Sequence, residues 1–159
     1  MSSKAVDAVL AIQQERAKEY RKLESLLRSP KDGAATVVGI QKATQVFQQL
    51  SESAMVLREE LARDASTADI SRIIDRIQGY ESEKLRLTVE IEALKQSHIA
   101  DQEDSPIGDE QVVVHTTCHC QQPLPREVRY ALEEGYQKLE TCIQNILECM
   151  EELQYIKHG

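Results

Sequence analysis

A seam of apolar residues at alternating three- and four-residue spacing decides what this chain can fold into. Ile40, Ala43, Phe47, Leu50, Ala54, Leu57 and Leu61 fall on one stripe. Lys42, Gln45, Gln48, Glu52, Arg58 and Glu59 lie largely off it. A helix turns about 100° per residue, so this spacing draws one narrow apolar line along one side. A line that narrow suits another helix, not a sheet or a bilayer. Ile40, Phe47, Leu50, Leu57 and Leu61 are therefore expected to form an interaction seam, as core or interface residues.

The same grammar recurs along the chain. A first helix is predicted from about Ser3 to Arg28, with Val6, Val9, Leu10, Gln13, Ala17, Tyr20, Leu23 and Leu27 inward. Ser29-Pro30-Lys31-Asp32-Gly33 ends it, because Pro disfavours helix before it and Gly permits a turn. The second helix covers about Ala35 to Arg63, with Gly39 weakening its start and Ile40 the alternative first residue. The third opens at Ser66-Thr67-Ala68-Asp69, with Ser66 the expected cap, and runs to about Ser97. Ile70, Ile73, Ile77, Tyr80, Leu87, Ile91 and Leu94 keep heptad-like spacing there, and Lys84 interrupts it. Such a lapse implies a snorkelling stem or a packing gap. A fourth helix starts near Pro123-Leu124-Pro125 and runs to about Ile156. Its predicted stripe is Val128, Leu132, Tyr136, Leu139, Ile143, Ile146, Met150, Leu153 and Ile156, flanked by Cys142 and Cys149. Gly135 is placed for a close helix approach.

The expected fold is all-α: an elongated, coiled-coil-like four-helix bundle with a long loop between helices three and four. Residues 1–98 form a three-helix antiparallel region, because two short connections make consecutive helices antiparallel neighbours. Residues 99–123 form an acidic loop carrying Cys and His, and residues 124–159 a helix packing on the same bundle. Gln111 to Thr117 is β-branched and reads as an ordered loop or lone extended piece. The whole is one domain, as 159 residues imply.

Charge and composition narrow the function. The net charge is -8, and five acids lie between Asp101 and Glu110 with no base among them. Gripping DNA by its phosphates needs a dense basic face. The first helix offers the one candidate, with Arg16, Arg21 and Lys22 as possible phosphate contacts beside Lys18 and Arg28. Glu15, Glu19 and Glu24 stand among these cations, so a solvated mixed-charge face is the expected reading. Direct nucleic-acid binding is not expected. No stretch approaches 18 consecutive apolar residues, so no membrane span is predicted. No secretory signal is expected either, since Asp7 and Gln13 break the N-terminal apolar stretch. Four cysteines without such a signal point to free thiols in nucleus or cytoplasm.

Catalytic kits are missing from the sequence. It holds no Gly-rich phosphate loop, no His-Glu-x-x-His helix and no Gly-x-Ser-x-Gly elbow. Adjacent carboxylates such as Glu133-Glu134 point about 100° apart and cannot form an acid/base dyad. Imidazole and thiolate in His115-Thr116-Thr117-Cys118-His119-Cys120 are donors that zinc prefers, so His115, Cys118 and Cys120 are candidate ligands. Structural zinc sites space paired cysteines two to four residues apart and add a distant second pair. Cys118 and Cys120 leave one residue between them, and Cys142 and Cys149 sit two turns apart. The loop is expected to hold no zinc, Cys142 and Cys149 to be core residues, and the chain to need no cofactor.

Several of these segments carry a family likeness. The first helix has Ile12-Gln13-Gln14-Glu15-Arg16-Ala17 followed by Tyr20-Arg21-Lys22-Leu23-Glu24. The second has Ala43-Thr44-Gln45-Val46-Phe47, then Leu57-Arg58-Glu59-Glu60-Leu61. In this order and separation they resemble the required-for-excision B family of small eukaryotic helical proteins. The likeness continues at Glu81-Ser82-Glu83-Lys84-Leu85 and, as an amphipathic pattern, into the fourth helix. It implies a role in DNA excision repair, as an accessory subunit, and supplies no catalytic residues. The residues themselves predict a non-catalytic protein whose partners are other helices or a second copy of itself. A structural component of a cytoskeletal or ciliary assembly is the alternative reading.

Overall fold

Four helices account for the regular structure of the described residues. The computed structural model describes residues 2–28, 33–103 and 124–159. They form α1 (Ser2–Arg28), α2 (Gly33–Ala62), α3 (Ala68–Glu103) and α4 (Arg126–His158), with no strand among the described residues. The expected all-α fold is what the chain adopts. Each element is long because its apolar positions repeat at helical spacing and no Pro interrupts them. At about 1.5 Å per residue, α3 alone spans about 54 Å, which makes the bundle elongated.

Consecutive helices run antiparallel, and cross-helix partners show it. Arg58 on α2 pairs with Asp75 on α3 at 2.9 Å, and Gln78 meets Ser51 further along. Arg76 on α3 pairs with Glu152 on α4 at 2.7 Å, while Lys95 lies over the Tyr136 ring. Asp7 near the start of α1 reaches Lys157 near the end of α4 at 2.7 Å. The helices occupy the corners of a square. α1 and α3 each pack on α2 and α4 and also meet across one diagonal, whereas α2 and α4 make no close backbone approach across the other. The ion pairs are half-exposed and contribute roughly 0–1 kcal/mol each, so packing holds the corners together.

Two glycines let backbones approach. A Cβ on Gly39 would lie 2.6 Å from Leu26 Cδ1, and one on Gly135 would lie 3.1 Å from Ile91 Cγ1. Gly135 thus marks the close α3–α4 contact that its position suggested. Gly39 does not delay α2, which starts at Gly33 and not near Ile40. The Leu26 side chain occupies the space that a Cβ at this position would fill.

The remaining departures are local. Ser66 is exposed and does not cap α3; its amide donates to Asp64 Oδ1 at 2.8 Å. Thr67 is buried instead, and its hydroxyl donates to the Leu61 carbonyl at 2.8 Å, satisfying a carbonyl at the end of α2. α3 continues past Ser97 to Glu103, so the first residues assigned to the loop are helical. Most of that loop, with the β-branched piece from Gln111 to Thr117, lies outside the described residues.

Two apolar clusters fill the interior. The first joins Val6, Val9, Ala54, Ile70, Ile73, Ile74, Ile77, Cys149 and Leu153 from all four helices. The second joins Tyr20, Leu23, Ala43 and Phe47, with Leu27, Ile40 and Leu85 packed on it. No residue of α4 belongs to this second cluster. Tyr20 and Phe47 stack with ring centroids 4.7 Å apart, a contact worth about 0.5–1.5 kcal/mol beyond area burial. Lys84 lays its ammonium over the Tyr20 ring at 3.8 Å, so the lapse in the α3 seam is a snorkelling stem ending in a cation–π contact.

Phe47 is 8% exposed at the centre of the second cluster. Phe47→Ala is expected to cost about 3–5 kcal/mol in urea unfolding. A cost under about 1 kcal/mol would show that the cluster contributes little to the fold.

Candidate functional site

Between the two apolar clusters lies a belt of buried polar side chains. There, side-chain hydrogen bonds replace apolar contact between three helices. Position along the seam explains it. The α1 seam steps through Val6, Val9, Gln13, Arg16, Tyr20, Leu23 and Leu27 in unbroken three-four alternation, so Gln13 and Arg16 must point inward. Gln13 is 8% exposed and Arg16 3%. Ser51 of α2 and Gln78 and Glu81 of α3 meet them at the same height.

The bonds form one connected set. Arg16 donates through Nη1 to Gln13 Oε1 at 2.7 Å. Its Nη2 donates to Gln78 Oε1 and, at 3.4 Å, to Ser51 Oγ. Gln13 passes the link on, its Nε2 donating to Glu81 Oε1 at 2.8 Å. Gln78 Nε2 donates to the Ser51 carbonyl at 3.3 Å, and the Tyr20 hydroxyl to the Glu81 carbonyl at 3.3 Å. Glu81 Oε2 is shielded from solvent and accepts no bond. The Arg16 guanidinium and the Glu81 carboxylate are therefore bridged by a neutral amide, and three helices are tied by one residue's fork.

Burial shapes the titration of this belt. Desolvation pulls the Arg16 guanidinium below its ordinary value, against the opposing charge of Glu81. Desolvation, followed by the nearby Glu81 carboxylate, pushes the Tyr20 phenol well above its ordinary value. A cleft of about 240 Å³ opens beside the belt, walled by Tyr20, Phe47, Thr44, Gln48 and Leu85.

The seam on α2 faces inward. Phe47 is buried, while Ile40, Leu50, Leu57 and Leu61 are half-buried. Ile40 packs against the second cluster, and Leu57 and Leu61 against the first. The partner helices of this seam are those of the chain itself. Arg16 is a correction to the phosphate set: it is enclosed and engaged by Gln13, Ser51 and Gln78, and presents no face to DNA. Ala17, expected inside, is exposed in its place. Arg21 and Lys22 are exposed, with Lys22 paired to Glu19 at 3.3 Å.

On α4 the cysteines belong to the middle of the seam and not its edge. The buried line is Leu132, Cys142, Ile146, Cys149 and Leu153. Both cysteines are free thiols, and burial raises each above the ordinary thiol range. Tyr136 and Ile143, expected inside, are 46% and 40% exposed. Among the described residues no group of three or more His, Cys, Asp or Glu is placed to hold a metal. His115, Cys118 and Cys120 lie outside the described residues.

Two measurements test the belt. Removing the fork by Arg16→Met strands Gln13 and Gln78 without their donor, leaves the buried Glu81 carboxylate without its nearby cation, and should cost about 3–5 kcal/mol in urea unfolding. A cost near zero would mean the bonds are incidental. The second is pH. A phenol raised in the folded state stabilises fully below the unfolded value of about 10, and that stability is lost as pH rises above it. Tyr20→Phe should therefore cost about 1 kcal/mol near pH 8, with the gap closing towards about pH 11. Parallel stability profiles for the two proteins would contradict the assignment.

The α1–α3 unit that builds this belt is also where likeness to known proteins falls. The family model described as DNA repair REX1-B matches residues 4–95, which takes in α1, α2 and most of α3 and leaves α4 outside. No curated protein and no solved structure matches the chain. Gln13, Arg16, Ser51, Gln78 and Glu81 all fall within the matched residues. The chain belongs to the DNA repair REX1-B family.

Proposed function

We propose that this protein acts in DNA excision repair as a non-catalytic accessory factor that works by binding other helical proteins. Family membership ties the chain to DNA repair. One structural observation carries the finer reading. The polar groups best suited to chemistry, Arg16 and Glu81, are consumed in the belt, whereas large apolar side chains face outward on α4 and α2. Ile143, Leu147, Tyr136, Val56 and Met55 are all more than a third exposed. A chain that encloses its charges and exposes apolar helix faces is suited to assembly.

The charge balance supports the same reading. With Arg16 enclosed and Lys18, Lys22 and Arg28 each paired to a glutamate, Arg21 and the distant Lys4 are the exposed α1 cations without an ion-pair partner among the described residues, too few to hold a phosphate backbone. None of the described helices is long and apolar enough to cross a membrane. Nuclear residence follows from the repair role as part of the proposal.

The test has two arms. A tagged copy should gather at damaged chromatin, and cells lacking the protein should be sensitised to lesions that excision repair removes. Restriction to a filament or axoneme would favour a cytoskeletal scaffold instead. The purified chain should show no saturable binding to duplex DNA at physiological salt. Salt-sensitive micromolar binding, lost in Arg21→Glu/Lys22→Glu, would replace the assembly reading with direct DNA contact.

A further inference from the structure

The fourth helix packs unevenly. It lies along α3 and closes the first apolar cluster through Cys149 and Leu153, yet it contributes nothing to the second. Beside the second cluster a gap is left between α1 and α4, marked by exposed side chains on both helices. Ala17 on α1 is exposed. On α4, Tyr136, Ile143 and Leu147 are 46%, 40% and 52% exposed. They are spaced seven and four residues apart, so they share one face over about 16 Å, or three helical turns. At the top of the gap a hollow of about 110 Å³ lies between Leu27, Ile91, Tyr136 and Leu139.

The charges around this face are lopsided. Glu133, Glu140 and Glu151 follow its outer edge at helical spacing, all exposed, and no described cation pairs with any of them. On the facing edge Arg21 is exposed and has no ion-pair partner among the described residues. α4 carries seven glutamates against four Lys and Arg. A second copy of the same acidic helix would bring like charges together, whereas a cationic helix would not.

We infer that the open face between α1 and α4, centred on Ile143 and Leu147, is the docking site for an amphipathic helix of another protein. That helix presents an apolar stripe about three turns long, with Lys or Arg along the edge that meets Glu133, Glu140 and Glu151. This rests on the assembly reading above and names the surface it uses. Apolar contact at Ile143 and Leu147 supplies the affinity, and the carboxylate edge selects the partner and its orientation.

The test uses the full chain and three synthetic 18-residue peptides. The first is helical with one leucine stripe flanked by lysines. The second is a scramble of the same composition, and the third replaces lysine by glutamate. Fluorescence anisotropy should give saturable one-to-one binding for the first peptide only, weakening with salt. Ile143→Asp/Leu147→Asp should reduce affinity at least tenfold, and Glu133→Lys/Glu140→Lys several-fold. These positions are exposed, so both variants should keep wild-type circular dichroism and melting temperature. Equal binding of the scramble, no binding, or unchanged affinity in the first variant would overturn the site. So would a wild-type dimer in sedimentation that Leu147→Asp makes monomeric, since it assigns the face to a second copy. Peptide binding lost while recruitment to damage persists refutes the site alone. Recruitment absent while the peptide binds refutes the repair role alone.

Discussion

The fork of Arg16 is the interaction on which the arrangement of this bundle depends. Apolar seams at heptad spacing are forgiving. A helix can slide by seven residues against its neighbour and still bury one aliphatic side chain against another. A buried guanidinium cannot slide. Shifted by one heptad, Arg16 would face the isoleucines of the first cluster or the rings of the second, and its charge would go without a partner. One arrangement places Gln13, Ser51, Gln78 and Glu81 around it together. The belt therefore fixes the heights of α1, α2 and α3 relative to one another, and the apolar clusters supply most of the stability on either side.

Much of this architecture was legible in the residues. Helix number and order, and the antiparallel sense of the first three helices, followed from apolar spacing and connection length, while the long third connection left the direction of α4 open; Gly135 announced a close approach that Ile91 fills. The belt was not recognised, although its signal was present. Reading α1 by residue type placed Ala17 inside and Arg16 on the surface, because alanine is apolar and arginine is not. Reading it by unbroken three-four steps reverses the two. The same habit placed Cys142 and Cys149 beside the α4 seam when they are its centre. Periodicity outranks residue type wherever a polar side chain finds partners in the interior. Gln78 and Glu81 were harder to find, since each lies one step off the main α3 seam, on the parallel stripe that runs Ile74, Gln78, Glu81 and Leu85.

A different limit governed α4. Its sequence shows a broad apolar face, and periodicity alone cannot say which neighbours cover it. Within the chain, α4 packs mainly on α3 and less extensively on α1. Tyr136 and Ile143 carry the seam pattern and remain exposed on a flank that neither neighbour covers. The family match ends at residue 95, so the α1–α3 unit with its belt is the part shared with the family model, and α4 is packed onto it from outside that span. The division makes physical sense: a register-locked three-helix platform carries a fourth helix whose uncovered flank can be used for binding.

The central claim is that the belt, and not the apolar seams, sets the register. Replacing it wholesale with aliphatic residues, as Gln13→Leu, Arg16→Met, Gln78→Leu and Glu81→Met together, tests this most directly. Spin labels on exposed positions of α1 and α3 would then report their separation by pulsed electron–electron resonance. The wild-type chain should give one narrow distance distribution. The substituted chain should keep its helix content and its thermal stability, yet give a broad or multiply peaked distribution as the helices slide. A single narrow peak at the wild-type distance would contradict the account and assign the register to the apolar packing alone.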